Sequence, residues 1–346
     1  MPNRLKALLL VNVGTPDQPT PPCVKKYLGE FLMDPYVVDI PAPLRAILVH
    51  GFILPKRPAV SAEAYRKIWT DSGSPLLVHS QKLAVQVQQR LGDEWGVQVA
   101  MRYGNPSIES VFDQLSKKDI SEIVIFPLYP QYSLAATESS VQKCLKNARK
   151  MLSHATLKIV QPFFSSEPFI SSFANVASAS LENYPYDFML FSFHGLPERQ
   201  IRKTDGSGKH CLSNEACCET LTEANRDCYR AQCHVTARLL AKRLGIPPEK
   251  YRIGFQSRLG RTPWIKPYTD VVFGELARSG VKRLAVVCPA FVADCLETLE
   301  EIGIRGRNDF IRMGGEDLRL VPSLNSAEVW AKGVVDLVLT SKEQVE

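Results

Sequence analysis

The most informative absence from this 346-residue sequence is a long hydrophobic run. The apolar stretch nearest the start, 7–13, is too short for the core of a signal peptide, and no segment reaches the eighteen or so apolar residues of a spanning helix. Strongly biased segments and basic runs interleaved with aromatics are also missing, which argues against disorder and against nucleic acid as a partner. We therefore expect a folded cytoplasmic protein.

Glycine-rich phosphate loops are absent as well. The stretch 206–209, Gly-Ser-Gly-Lys, lacks the glycine five residues before its Gly-Lys pair, and His210 stands where a Ser or Thr is required. The stretch 14–16, Gly-Thr-Pro, lacks the other glycines of a dinucleotide fingerprint. Common nucleotide-binding functions are thereby excluded, whereas the net charge of +6 favours an acidic small molecule or an anionic surface.

What the sequence does contain is a regular alternation of short apolar runs with amphipathic stretches. Hydrophobic residues make up 45% of the chain, enough for a sizeable core. Alternation of this kind is typical of parallel sheets covered by helices. It predicts an α/β protein with strands at 6–12, 97–102, 123–127, 156–161, 188–193, 251–256, 281–288 and 318–321.

The length suggests two halves, 1–162 and 163–346, with a linker near 162–168. Residues 123–137 and 285–298 share a strand, a proline, an aromatic and then a leucine before a threonine. This echo indicates two similar Rossmann-like, doubly wound halves, although chance similarity between two strand-to-helix junctions is an equal alternative. We expect a terminal helix, 327–339, to pack back on the first half.

A histidine at the end of a predicted strand is the first candidate for chemistry. His194 follows the apolar run 188–193 and precedes a Gly-Leu-Pro turn. An imidazole at this place can accept or donate a proton near neutral pH. The alternative interpretation is a structural histidine, which is the commoner case for a lone strand-end residue.

A row of acidic residues provides the second candidate. If 291–303 is helical, Asp294, Glu297, Glu301 and Arg305 share one face, because steps of three and four realign side chains. Such a face is usually solvated. Beside a histidine, however, carboxylates can move protons and bind a divalent cation.

Cysteines are concentrated in one window. Five of the nine lie within 23 residues, separated by five, zero, nine and four residues. The spacing matches no zinc pattern of paired Cys-x-x-Cys units, so we favour an iron-sulfur cluster over a structural zinc site. Four of the five would be ligands: Cys211, Cys217, Cys218, Cys228 and Cys233.

An apolar segment with flanking cations lies at 44–54. It contains Leu48, Phe52 and Leu54 and is accompanied by Lys56 and Arg57. We interpret it either as an apolar lip that contacts lipid or a hydrophobic ligand, or as an ordinary core helix.

Eight segments, taken together and in order, resemble the ferrochelatases, which insert Fe²⁺ into protoporphyrin IX. The resemblance covers almost the whole chain. The segments are Leu8-Leu-Leu-Val-Asn-Val-Gly-Thr-Pro16, Ser72-Gly-Ser-Pro75, Arg102-Tyr103, Phe126-Pro-Leu-Tyr-Pro-Gln-Tyr-Ser133, Ser192-Phe-His-Gly-Leu-Pro197, Phe255-Gln-Ser-Arg-Leu-Gly260 with Pro263-Trp264, Pro267-Tyr-Thr-Asp270, and Asp294-Cys-Leu-Glu-Thr-Leu-Glu-Glu301.

The resemblance implies a chelatase-type fold of two Rossmann-like halves, with the porphyrin in the cleft between them. It implies that His194 and Glu297 act at the iron and the pyrrole nitrogens, and that Glu301 continues the polar row. Five residues would line the porphyrin: Arg102, Tyr103, Tyr129, Trp264 and Phe291. This chain departs from the family pattern with Arg305 in place of a further carboxylate and Val13 where some relatives have Met.

The resemblance also bears on the cysteines and the partners. Some bacterial ferrochelatases resemble this chain in carrying a [2Fe-2S] cluster in an internal segment, here the insert 205–228. Expected partners are protoporphyrin IX and ferrous iron, with peripheral contact at the inner membrane face and a monomeric or homodimeric state. Arg45, Lys56, Arg57 and Arg102 are candidates for the porphyrin propionates. A chelatase for cobalt or another metal and a non-catalytic porphyrin or haem carrier are the alternatives.

Overall fold

The computed structural model describes residues 5–260 and 262–341. Two parallel four-stranded sheets run through this part of the chain, in the orders β2-β1-β3-β4 and β6-β5-β7-β8. Every strand predicted from the apolar runs is present, with ends shifted by a few residues. The strands are β1 Leu5–Thr15, β2 Trp95–Gly104, β3 Ile120–Pro127, β4 Thr156–Ile159, β5 Phe188–His194, β6 Tyr251–Gln256, β7 Arg283–Val287 and β8 Asp317–Leu320.

Helices connect the strands, and the predicted parallel α/β architecture is therefore confirmed. In the described residues the α-helices are α1 Pro21–Leu32, α2 Ala42–Ala46, α3 Arg57–Ile68, α4 Pro75–Leu91, α5 Ile108–Leu115, α6 Ser139–Met151, α7 Glu167–Leu181, α8 Glu198–Lys203, α9 Tyr229–Arg243, α10 Thr269–Arg278, α11 Arg307–Arg312 and α12 Glu328–Leu339. Short 3₁₀ turns span Glu215–Cys218 and Pro248–Lys250. No described helix has the length and hydropathy that a bilayer crossing requires.

Two compact units divide the chain. Unit 1 contains the described residues up to Tyr129, the segment Leu134–Gln161, and the segment from Ser326 onward, which includes α12. Unit 2 contains Pro130–Ser133 and Pro162–Asn325. Within unit 1, α12 packs against α4, and its buried Trp330 meets Phe126 of β3 edge to face.

The core of unit 1 lies between its sheet and the helices α5 and α6. Ala7, Leu9 and Val11 alternate along β1 on this side, as the period of two in a strand requires. They meet Phe112 of α5 and Leu145 of α6. All of these side chains are buried, so the apolar stripe of each helix is covered by the sheet.

The core of unit 2 has the same construction. Leu284 and Val286 of β7 contact a cluster that includes Phe273 of α10, Phe310 of α11 and Ile302. The helix α7, which the sequence did not predict, belongs to this unit. Its sequence is rich in Ser and Ala, and its apolar residues show too little contrast for an obvious helical period.

Helices with i→i+5 hydrogen bonds are the main departure from the predicted elements. They span Ile47–Ile53, Leu134–Glu138 and Glu297–Gly306. Such π-helical turns are rare and are frequently found at functional sites. The predicted helix 291–303 thus begins later than expected, because residues 291–295 form no helix.

Candidate functional site

His194 ends the central strand of the second sheet, as the sequence predicted. Its Nδ1 lies 2.6 Å from the carbonyl oxygen of Gly195. A carbonyl can only accept, so Nδ1 carries the hydrogen and Nε2 holds the free lone pair. A Cβ atom at Gly195 would lie 2.8 Å from the carbonyl oxygen of Gln256, so the tight turn after the histidine requires glycine.

Gln256 connects the histidine strand to the acidic helix. The strand register places it directly opposite His194, and its carbonyl accepts a hydrogen bond from the Gly195 N–H at 2.8 Å. Its side-chain Nε2 donates to the main-chain carbonyl of Glu297 at 2.8 Å. His194 and Glu297, predicted to act together, are thus joined through one residue of unit 2.

Glu301 is held by the residue that follows β6. Its Oε1 accepts from the Ser257 N–H at 2.9 Å, and its Oε2 accepts from the Ser257 hydroxyl at 2.5 Å. Ser257 has a φ of +67°, a left-handed conformation that is uncommon for a residue other than glycine. Arg305 lies 3.9 Å from the same carboxylate, so the predicted row continues as a cation rather than an acid.

Asp294 does not join this row, contrary to the sequence prediction. It precedes the π-helix, and its carboxylate accepts hydrogen bonds from Thr298, from the Ser323 N–H and from the Asn325 amide. Asp294 is only 6% exposed, and its hydrogen bonds connect the segment after β8 with the start of the π-helix Glu297–Gly306. The face expected for Asp294, Glu297 and Glu301 assumed a regular α-helix that begins earlier.

Two of the predicted ring contacts lie beside His194. The Phe291 ring centroid is 6.3 Å from that of the imidazole. Trp264 pairs with Pro197, and a Cβ atom at Gly195 would be 3.3 Å from its ring. Both rings are half-buried, so one face of this site is aromatic and apolar.

In unit 1 the predicted residues Arg102 and Tyr103 belong to a buried polar cluster. The Arg102 guanidinium forms an ion pair with Asp34, whose side chain is 1% exposed. The same carboxylate accepts hydrogen bonds from the Tyr103 hydroxyl at 2.8 Å and the Ser139 hydroxyl at 2.6 Å. Burial raises the pKa of Tyr103. Asp34 has no motif around it, and the sequence therefore did not predict it.

Tyr129 follows β3 and is half-buried, so it stays available as a predicted ring contact. Its hydroxyl lies 3.2 Å from that of Ser140. Burial raises the pKa of Tyr129, which therefore stays a neutral phenol at physiological pH.

The lip segment is partly core and partly surface. Val49 and Leu54 are buried, whereas Leu44, Ile47 and Phe52 expose 57%, 59% and 68% of their surfaces. Lys56 and Arg57 are exposed beside them. Arg45, expected to meet a propionate, is instead buried and donates to the carbonyls of Val38 and Ile40.

The cysteine insert brings four thiols into contact. Cys217 and Cys218 have their sulfurs 3.7 Å apart, and Cys228 hydrogen-bonds with both Cys218 and Cys211. All four are at most 6% exposed. Burial raises the pKa of Cys211 to about 11, and the hydrogen bond with Cys228, followed by burial, raises the pKa of Cys218. Arg230 donates to the sulfurs of Cys217 and Cys218.

Cys233, the fifth candidate, has a different environment. It lies on α9, is fully buried, and its side chain hydrogen-bonds with Tyr229. Among the described residues, no group of three or more His, Cys, Asp and Glu side chains has an arrangement that could hold a metal ion.

A polar framework shapes the insert. The Asp205 carboxylate accepts hydrogen bonds from the N–H groups of Ser207, Gly208, His210 and Cys211. Burial acts to raise the pKa of Asp205, but the hydrogen bonds together outweigh it and lower that pKa. The stretch 206–209 is therefore a turn around an aspartate, in agreement with its rejection as a phosphate loop.

Comparison with solved structures defines the class of the fold. SirB from Bacillus subtilis with Fe³⁺ matches with a TM-score of 0.54 at 11% identity, covering 97% of this chain and 94% of that one. The sirohydrochlorin chelatase SirB from B. subtilis subspecies spizizenii, in complex with cobalt, matches with a TM-score of 0.53 at 9% identity, with the same coverage. The two parallel sheets are thus those of a chelatase-type α/β fold.

Sequence comparison identifies the family within this class. The ferrochelatase profile matches residues 5–342. A ferrochelatase of Pseudomonas savastanoi pv. phaseolicola is 49% identical over 333 residues, 94% of this chain and 95% of the relative. One of Coxiella burnetii is 43% identical over 339 residues, 98% of this chain and 94% of the relative. The chain belongs to the ferrochelatase family.

Proposed function

We propose that this protein inserts Fe²⁺ into protoporphyrin IX to give protohaem, as a lyase of haem biosynthesis. The observation that carries the proposal is the connection in unit 2 of His194, through Gln256, to Glu297. Family membership supplies the reaction class. Iron insertion requires a proton acceptor for two pyrrole N–H groups and a weak binding place for the arriving ion.

His194 is the proposed proton acceptor. Its Nδ1 is occupied by the Gly195 carbonyl, which leaves Nε2 as the basic nitrogen. An imidazole nitrogen with a free lone pair can take a proton from a pyrrole and pass it on to solvent.

Glu297 is the proposed partner at the metal, with Glu301 behind it. The side chain of Glu297 is half-buried at the start of the π-helix, whereas both oxygens of Glu301 are engaged by Ser257. A site with few protein ligands suits a substrate ion, because the ion must exchange those ligands for porphyrin nitrogens. Carboxylate and imidazole bind Fe²⁺ without the strong hold of thiolates.

Aromatic side chains are proposed to hold the tetrapyrrole. Trp264, Phe291 and Tyr129 are half-buried, and aromatic rings of this kind can stack on a flat ligand. Arg102 and Tyr103 belong to the Asp34 cluster of unit 1, and the Tyr103 ring, at 2% exposure, has little surface left for a ligand.

An anaerobic insertion assay tests the proposed function. Purified protein with protoporphyrin IX and Fe²⁺ should produce the absorption spectrum of haem, and parallel reactions with Co²⁺ or with more carboxylated porphyrins measure selectivity. Porphyrin binding without any metalloporphyrin formation would favour a carrier and would contradict the proposal.

We further propose that the insert holds a [2Fe-2S] cluster on Cys211, Cys217, Cys218 and Cys228. Support comes from the continuous contacts among these four thiols, from their burial, and from the tetrathiolate donor set that iron-sulfur clusters use. The four thiols are not arranged as a metal site in this structure, so binding of the cluster requires them to rearrange; the Cys217 and Cys218 sulfurs, 3.7 Å apart, already fit neighbouring corners of a tetrahedron with metal–sulfur bonds of about 2.3 Å. Such a group would stabilise the insert, and no step of iron insertion depends on it.

Two cysteine variants test the ligand assignment. Cys228→Ser should remove the visible iron-sulfur absorption and the bound iron and sulfide, whereas Cys233→Ala should retain them. Zinc in place of iron and sulfide in the purified protein would contradict the cluster, and loss of iron in Cys233→Ala alone would contradict the assignment.

The exposed apolar lip is proposed to contact the membrane surface at the cytoplasmic face. Leu44, Ile47 and Phe52 project apolar surface beside the cations Lys56 and Arg57, a combination that favours anionic lipid. Co-sedimentation with vesicles containing phosphatidylserine should fall for Phe52→Glu and should be unchanged for Val85→Glu, a control at an exposed apolar residue outside the lip. Equal sedimentation of all three proteins would contradict lipid contact by the lip.

A further inference from the structure

We infer that Gln256 is a positioning residue for metal insertion, holding the end of the histidine strand and the first turn of the π-helix in one fixed geometry. This inference rests on the proposed function and assigns a role to a residue outside the predicted catalytic set. Gln256 does not act on the substrate itself; it acts through His194 and Glu297.

Gln256 forms hydrogen bonds through both its main chain and its side-chain amide. Its main chain pairs with His194 and accepts from the Gly195 N–H, and its Nε2 donates to the carbonyl of Glu297. Its Oε1 accepts from the Ser192 hydroxyl at 2.7 Å and from the Cys288 thiol at 3.7 Å. One amide therefore connects β5, β6, the end of β7 and the π-helix.

The orientation of this amide is determined by its surroundings. The Ser192 hydroxyl lies 2.8 Å from the Thr269 hydroxyl and can accept a hydrogen bond from it, so the Ser192 hydrogen is left to donate to Oε1 of Gln256. The Glu297 carbonyl can only accept, so it requires the NH₂ end of the amide. At 3% exposure Gln256 is shielded from solvent, and an apolar side chain in its place would leave these buried groups unpaired.

The carbonyl that Gln256 contacts belongs to the residue proposed to meet the metal. Glu297 is the first residue of the π-helix, and π-helical turns are rare and frequently found at functional sites. A side-chain donor at the Glu297 carbonyl can therefore fix the direction of the Glu297 side chain. Displacement of a reacting group by about 1 Å can cost on the order of 100-fold in rate.

The test compares Gln256→Met with Gln88→Met in the full-length protein. Gln88 is a half-buried glutamine of unit 1 that also bonds the main chain at both ends of its amide, through Gly92, Trp95 and Val97. The measurements are kcat for Fe²⁺ insertion, the porphyrin Kd from fluorescence, and the urea midpoint of unfolding. A third variant, Gln256→Glu, can donate to the Glu297 carbonyl only when its carboxyl group is protonated.

A positioning role predicts a split between catalysis and binding. Gln256→Met should lose about 10- to 100-fold in kcat with a porphyrin Kd within twofold of the wild type. Gln88→Met should shift the urea midpoint comparably while kcat stays within twofold. Gln256→Glu should regain activity relative to wild type as the pH is lowered, because the protonated acid restores the donor.

The opposite results would overturn the inference. Wild-type kcat in a folded Gln256→Met would show that the link is dispensable, and a parallel loss of kcat and porphyrin affinity, with no low-pH recovery in Gln256→Glu, would show a purely structural role. If the wild-type enzyme itself forms no haem, the proposed function fails instead, and that result is distinguished by the same assay.

Discussion

The two sheets have the same strand order but carry different chemistry at corresponding positions. Leu9 pairs with Ile125 in the first sheet as Leu190 pairs with Val286 in the second. We align Leu9 with Leu190 because each faces the core described above for its unit, and on this alignment Val13 corresponds to His194. The neighbouring strands pair in the same way, so Arg102 corresponds to Gln256 and Tyr103 to Ser257.

A contact between corresponding places is kept even though the residues differ. In unit 1, the Tyr103 hydroxyl lies 3.4 Å from that of Ser139, just after the π-helix Leu134–Glu138. In unit 2, Ser257 contacts Glu301 within the π-helix Glu297–Gly306. At the end of the first sheet, these positions contain a buried ion pair between Arg102 and Asp34. At the end of the second sheet, they contain a histidine near two glutamates. The fold supplies the position, and the residues decide between stability and chemistry.

The largest expected effect distinguishes the two central strands. His194→Ala should reduce iron insertion by about 10²- to 10⁴-fold, because the proton acceptor is removed, while the porphyrin Kd measured by fluorescence changes little. Val13→Ala, at the corresponding position, should have a much smaller effect on kcat. Equal losses in both variants would show that His194 has no special role.

Next in size is a loss of stability confined to unit 1. Asp34→Ala leaves the Arg102 guanidinium without its only described carboxylate partner and should lower the free energy of unfolding by about 3–5 kcal/mol, measured in urea. Tyr103→Phe removes a single hydrogen bond to the same carboxylate and should cost about 1 kcal/mol. A small effect of Asp34→Ala would mean that this cluster does not stabilise the unit.

The third test compares Glu297, the first residue of one π-helix, with Ser139, which directly follows the π-helix Leu134–Glu138. Glu297→Gln preserves shape but removes the charge, and it should lower kcat for Fe²⁺ insertion by about 100-fold with an unchanged urea midpoint. Ser139→Ala, on the other side of the comparison, should lower stability by about 1 kcal/mol with kcat within about twofold of the wild type. The reverse pattern would contradict the division of labour between the two units.

The smallest effect concerns the insert, which only the second half possesses. Asp205 has a lower pKa in the folded protein than in the unfolded chain, so its stabilising contribution exists above the unfolded value of about 3.9 and is lost as the pH falls below it. Limited proteolysis of the insert should therefore accelerate below about pH 4. In the Asp205→Asn variant, the protease should cleave the insert faster than in the wild type already at neutral pH. The control Asp227→Asn, at an exposed residue of the insert, should be cleaved at the wild-type rate.

Local sequence patterns predicted a large part of this protein. The eight apolar runs predicted all eight strands of residues 5–260 and 262–341, and the Gly-Leu-Pro turn predicted that His194 ends one of them. Both follow from the period-two pattern of strands and from turn chemistry, which act over a few residues. The echo between 123–137 and 285–298 likewise marked two junctions that hold the third position in their respective sheets.

The sequence by itself therefore determined the strands and the fold class, and it supplied the candidate site residues. Only the tertiary structure decided their partners: Asp34 for Arg102 across 68 residues, Gln256 for Glu297 across 41, and Asn325 for Asp294 across 31. These pairings depend on strand order and register, and on the wider turn of a π-helix. Local periodicity carries no information about any of them, because it reports which face a residue occupies and not which distant residue meets it.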